Sequence, residues 1–209
     1  MSPPASPGEA PIDFWFDFAS PYGYFMSWRI DAIAARHGRR VRWRPVILFA
    51  VLRALGLPPP MGHEAKRTYM QHDFERSARF LGVPFRRPEA FPAATHHAAR
   101  AFYLLERSDP RTAMAFARTA MRAYFTEGAD LGDPMQIAQW AREANPQLGE
   151  AAGFAARLRA DEARALLASA VEEAVRAQVF GSPMIVIDGE RFFGVDRLPQ
   201  IEGHLEGNL

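Results

Sequence analysis

The chain has 209 residues, 48% of them apolar and 23% charged, with a formal net charge of +1 at neutral pH. This length can bury a full core, and the composition is that of an ordinary folded globule, neither disordered nor fibrous. The near-zero charge excludes the basic field of a nucleic-acid binder, and the absence of cysteine excludes disulfides, thiolate metal sites and a thiol nucleophile supplied by the chain.

Residues 1–11, MSPPASPGEAP, read as a proline-rich disordered tail without the basic and apolar regions of a signal peptide. No later stretch approaches the roughly 18 apolar residues of a spanning helix. No membrane partner is expected, and the cytoplasm is the default location. Residues 12–18 read as an apolar strand that breaks at Ser20-Pro21 and turns directly into a helix over 21–37. Tyr24, Trp28, Ile30 and Ile33 give that helix its apolar face, and Gly38 its stop. Residues 41–46 alternate apolar and charged and predict a second strand with Pro45 near its end. A helix between two strands implies a parallel pair.

From about 63 to 179 the pattern is helical, punctuated by prolines. Phe116, Ala120, Met121, Tyr124 and Phe125 form a core-facing stripe, and Asp133 with Pro134 is an N-cap and first-turn pair. Strand character returns at 183–187. Asp188-Gly189 is a hairpin turn, residues 191–194 are its partner strand, and a closing helix follows over about 196–205. The order β-α-β, helices, β-β-α predicts an α/β fold: a thioredoxin-like domain, with halves at 12–60 and 179–209, interrupted by an all-helical insertion domain at 61–178.

The Ser20 junction is the candidate site. A strand end feeding a helix start presents unpaired N–H groups and the positive end of the helix dipole, which suit an anion. A thioredoxin-like redox protein places C-x-x-C there; here a hydroxyl stands where a thiolate is expected, so any sulfur must come from outside. Taken alone, Ser20 is also simply an N-cap with Pro21 in the first helical position. Other chemistries are not signalled. His96 and His97 are adjacent, so on a helix they point about 100° apart; His63, His72 and Asp73 lack the i,i+4 spacing of a helical zinc site, and no metal is expected. No phosphate-binding glycine loop and no G-x-S-x-G occurs. Arg36, Arg39, Arg40, Arg42 and Arg44 read as a solvated face protecting an edge strand, in preference to an anion groove.

The opening F-D-F-A-S-P-Y and the closing V-F-G-S-P-M-I-V-I-D-G-E-R-F-F-G-V-D-R-L resemble the 2-hydroxychromene-2-carboxylate isomerases. These are grouped with the kappa-class glutathione transferases and the periplasmic disulfide oxidoreductases of the same thioredoxin-like plan. The stretches E-A-K-R-T-Y-M-Q-H-D, R-S-A-R-F-L-G-V-P-F and M-R-A-Y-F-T-E-G-A-D-L-G-D-P extend the resemblance over nearly all of 12–205. It implies glutathione as cofactor, with Ser20 facing its sulfur and favouring the thiolate. It further implies a cis-proline at Pro183, main-chain pairing of Ser182 with the tripeptide, a Val195 backbone contact, Asp196 at the γ-glutamyl end and Lys66 at the glycyl carboxylate. For each of these residues a purely structural reading stands beside the implied one: strand-initiating Pro183, N-capping Asp196, solvated Lys66. The implied chemistry is reversible thiolate addition to an aromatic-derived enone or enol carboxylate, flanked by Trp15, Tyr22 and Phe49. Relatives are commonly homodimers.

Two positions depart from the family pattern. Leu57 stands where relatives often carry an asparagine that contacts ligand, and Val195 stands where isomerases often carry glutamine. Two other functions stay open on the same scaffold: a kappa-like transferase conjugating glutathione to small electrophiles, and a non-catalytic thioredoxin-like binding module. A disulfide oxidoreductase is excluded for want of a thiol.

Overall fold

The computed structural model describes residues 10–208; the expected tail, apart from Ala10 and Pro11, lies outside the described residues. Strand β1 (Ile12–Phe16) is followed by helices α1 (Pro21–Ser27) and α2 (Ile30–Arg36), strand β2 (Val41–Pro45) and helix α3 (Leu48–Ala54). Six helices come next: α4 (Glu64–Leu81), α5 (His96–Glu106), α6 (Pro110–Arg122), α7 (Pro134–Ala144), α8 (Ala151–Arg157) and α9 (Asp161–Arg176). Strands β3 (Met184–Ile187) and β4 (Glu190–Phe193) and helix α10 (Leu198–Leu205) complete the chain. The sheet has the order β2-β1-β3-β4, with β1 and β2 parallel and both remaining pairings antiparallel. This is the thioredoxin-like arrangement expected from the element order, with helices between its two halves.

Alternation along β1 sets the layers. Ile12, Phe14 and Phe16 face the main core, where Phe16 packs against Phe14, Phe18 and Trp43. That core continues without a break into the helices, as Phe18 meets Phe116. Trp15 points the other way, into a smaller cluster with Val46, Val51, Ala174, Val179 and Met184 beneath α3 and α9. The predicted turn at Asp188-Gly189 forms with positive φ at both residues, the twist that matches two antiparallel strands. Of the five clustered arginines, Arg36, Arg39, Arg42 and Arg44 each meet a carboxylate from another segment, so the cluster ties strands and helices together.

Four local departures have physical causes. The strand expected over 12–18 ends at Phe16, because the Asp17 carboxylate accepts the N–H of Ala19 and bends the chain. The helix expected over 21–37 breaks into two at Trp28 and Arg29; there Ser27 Oγ donates to the Tyr24 carbonyl and the Arg29 guanidinium reaches the Leu81 carbonyl. Residues 123–127 form one π turn, whose extra residue lets neighbours Tyr124 and Phe125 both face the core. The closing helix begins as a 3-10 turn over Val195–Arg197 and becomes α-helical at Leu198.

Phe16 is fully buried amid three aromatic rings. Phe16→Ala is expected to cost about 3–5 kcal/mol of unfolding free energy, read as a fall in the denaturant midpoint at unchanged slope.

Candidate functional site

The carboxyl end of β1 runs through Asp17 into the Ser20 turn, where Ser20 caps α1 by accepting the N–H of Gly23 at 3.1 Å. The Ser20 hydroxyl donates to the carbonyl of Ser182 at 3.0 Å. Ser182 precedes a cis bond to Pro183, just ahead of β3. Helix α1 can lie this close to Ser182 because residue 23 is glycine: a Cβ there would stand 3.1 Å from Ser182 Oγ and 3.3 Å from Ser20 Cβ.

Asp17 lies at the floor of the site. Its carboxylate accepts from Ala19 N at 3.0 Å, Leu48 N at 2.9 Å and Thr95 Oγ1 at 3.0 Å. Its own N–H donates to Ser182 Oγ at 2.9 Å, and its carbonyl accepts the Ser20 N–H at 2.9 Å. Burial raises the Asp17 pKa above the ordinary carboxylate value, outweighing the three donors that favour the charge.

Above this floor opens a cavity of about 920 Å³ with mostly apolar walls, within the range of small-molecule sites. Of the residues expected at the site, Ser20, Tyr22, Phe49, Lys66 and Ser182 line it. Tyr22 donates its hydroxyl to Asp73 at 2.5 Å, tying α1 to α4. Phe49 is half exposed at the mouth, and Lys66 stands exposed on the first turn of α4. The other expected residues do not line the cavity. Trp15 is buried beneath the Arg44 guanidinium in the cluster it shares with Val51 of α3, and its side chain is not part of the cavity wall. Val195 is buried in the main core, and the exposed Asp196 carboxylate is paired with Arg197 at 2.7 Å.

Several lining residues were not anticipated: Asp17, Thr95 and His96 on the polar side, and Met61, Phe180 and Phe193 on the apolar side. Asp17 carried a readable signal, a charge in an aromatic run, and Thr95 a weaker one, a hydroxyl ahead of a helix. Phe193 packs at 5.1 Å over Phe180, and its ring fills the space a side chain on Gly181 would need. Among the described residues no group of His, Asp or Glu is placed to hold a metal ion.

His97, next to His96, is buried, and its Nδ1 has no hydrogen-bond partner among the described residues. Burial, then the neighbouring His96 and Arg100, push its pKa down to about 4. The unfolded chain takes up this proton near pH 6.5 and the folded chain only near 4, so His97 withdraws stability as pH falls between those values. Asp17 acts in the opposite sense: its raised pKa adds stability at low pH that is lost as pH rises through the folded value.

The sequence of residues 11–206 matches the model of the DSBA-like thioredoxin domain, and the chain belongs to that family. It is 29% identical over 196 residues to a 2-hydroxychromene-2-carboxylate isomerase of Sphingobium xenophagum, covering 93% of this chain and 97% of that protein. It is 25% identical over 211 residues to glutathione S-transferase kappa 2 of Caenorhabditis elegans, covering 95% of this chain and 93% of that protein. Among solved structures, a 2-hydroxychromene-2-carboxylate isomerase superposes with a TM-score of 0.81 at 24% identity, over 95% of each chain.

His97→Phe keeps a ring and removes the proton site. Thermal melts from pH 7.5 down to 4.5 are expected to show a shallower acid loss of stability in this variant than in wild type; parallel curves would place the acid sensitivity elsewhere.

Proposed function

We propose that this member of the DSBA-like thioredoxin family is a glutathione-dependent isomerase acting on 2-hydroxychromene-2-carboxylate or a related aromatic-derived enone or enol carboxylate. Names of relatives across most of the chain support the class of reaction. The observation that carries the reading is the Ser20 hydroxyl, held between the α1 start and the Ser182 carbonyl at the floor of a largely apolar cavity, in a chain with no thiol of its own.

The residues present fit glutathione. Ser20 Oγ already receives the Gly23 N–H, so its proton is its free valence, and that proton lies on the Ser182 carbonyl. Rotating the hydroxyl toward a sulfur in the cavity frees that carbonyl for a main-chain N–H of the tripeptide, so the two contacts are exchanged together. Ser20 would then donate to the sulfur and favour the thiolate. The exposed ammonium of Lys66 has no ion-pair partner among the described residues and is available to the glycyl carboxylate. Asp196 would have to exchange Arg197 for the γ-glutamyl ammonium. Bound there, glutathione would supply the thiolate nucleophile for reversible addition to a conjugated carbon.

Around the thiol, the chain's part is to exclude water and orient the substrate. Phe49, Phe180, Phe193 and Met61 supply apolar contact, and Tyr22, its hydroxyl committed to Asp73, presents ring. Leu57, in place of the relatives' asparagine, adds to the apolar lining. We place the protein in the cytoplasm, acting in the breakdown of aromatic compounds as a homodimer. The exposed aromatic side chains of α4, Tyr69 and Phe80, support an interface.

Titration calorimetry of glutathione into wild type is expected to give saturable binding, with thiolate absorbance at neutral pH. Ser20→Ala is expected to lower the thiolate fraction roughly tenfold, the scale of one hydrogen bond to a charged group. No binding at several millimolar, weaker than about −4 kcal/mol, would reject this function and the conjugating alternative together. With binding established, isomerase turnover against conjugation of small electrophiles separates those two.

A further inference from the structure

We propose that Asp17 is the positioning residue of this site: its carboxylate fixes the Ser20 hydroxyl by gathering the Ser20 turn and the starts of two cavity-wall helices onto one point. This rests on the glutathione reading above.

Three backbone and hydroxyl bonds close a ring among Asp17, Ser20 and Ser182. Ser20 N donates to the Asp17 carbonyl, Asp17 N donates to Ser182 Oγ, and Ser20 Oγ donates to the Ser182 carbonyl. The ring joins β1, the α1 start and the turn before β3, and it defines where the Ser20 oxygen stands. The ring alone does not reach the walls built on α3 and α5. The Asp17 carboxylate does, through Leu48 N on α3 and Thr95 Oγ1 ahead of α5. Phe49 and Leu52 on α3 and His96 on α5 line the same cavity.

The manner of capping shows that Asp17 is more than a helix-stabilising acid. Ile47, preceding α3, has no side-chain cap, and the Asp17 carboxylate accepts the first α3 N–H in its place; Thr95, preceding α5, makes no cap bond to its own helix and donates its hydroxyl to Asp17. The first N–H of α3 and the hydroxyl of the residue that leads into α5 thus meet on one carboxylate, 31 and 78 residues away in sequence. A local Ser, Thr or Asp would cap either helix as well. What a local cap cannot do is register both walls to the Ser20 turn.

The role separates cleanly from two others by a double-mutant cycle on the thiol of bound glutathione. Thiolate absorbance is titrated with pH in wild type, Asp17→Asn, Ser20→Ala and the double variant. Asparagine keeps one acceptor oxygen but cannot accept all three donors. The expected result is a roughly three- to tenfold lower thiolate fraction in Asp17→Asn, a range typical of contacting residues, that disappears in the Ser20→Ala background. A higher thiolate fraction in both backgrounds would show Asp17 acting as a charge through space and would overturn the proposal. A lower melting temperature with unmoved thiolate would reduce Asp17 to a structural residue and overturn it equally. Should Asp17→Asn fail to fold, Thr95→Val removes one donor and leaves the carboxylate. Its shift is expected to be smaller, of the same sign and likewise lost with Ser20; no shift in Thr95→Val overturns the proposal. Wild type that binds glutathione while the variants leave the thiolate unmoved defeats this inference alone, whereas wild type that binds none defeats the underlying reading and this inference with it.

Discussion

A carboxylate buried at the end of an aromatic strand must be met by donors, and the architecture around the cavity follows from supplying them. Leaving such a group without partners costs far more than one lost surface hydrogen bond. The chain meets Asp17 from three directions: its own turn through Ala19, the α3 start through Leu48 and the α5 entrance through Thr95. These segments are remote in sequence, so their convergence is a constraint on the whole fold. The cavity is what remains between elements that must all reach the same point.

The rest of the core makes that convergence possible. β1 contributes Phe14 and Phe16 to one side of the sheet and Trp15 to the other, and each side is closed by helices. On the larger side the aromatic contacts run from the strand into the helical segments, through Phe18 to Phe116 and through Tyr24 to Phe125. The helices between the sheet's two halves are thereby packed on the same core as the sheet. A wall built on α5 can then hold a fixed distance from a turn built on β1.

Much of this was legible in the residues because its causes are local. Apolar runs marked β1 and β3 and alternation marked β2, Asp188-Gly189 marked the hairpin, and Ser20-Pro21 and Asp133-Pro134 marked helix starts with caps that the structure contains. What was not legible depends on contacts between distant segments. The break between α1 and α2 turns on Arg29 reaching Leu81, and the π turn on what Tyr124 and Phe125 meet in the core. At the site, Trp15 illustrates the limit. It was expected among the aromatics flanking the substrate, while the pleat of β1 buries that side chain in the cluster with Val51 and Ala174, short of the cavity wall. Asp17 illustrates the converse. Its place in an apolar run was plain, but its partners Leu48 and Thr95 come from segments that no local pattern connects to it.

The burial of Trp15 away from the cavity has a spectroscopic side. The chain's four tryptophans are Trp15, Trp28, Trp43 and Trp140, and none of them lines the cavity. Trp15, Trp43 and Trp140 are buried in the sheet and helix cores, and Trp28 lies at the junction of α1 and α2. Intrinsic indole emission therefore follows the integrity of the packed layers while the lit chromophores stay out of contact with whatever occupies the site. The protein carries a built-in optical gauge of its own folding that a cavity ligand touches only at second hand.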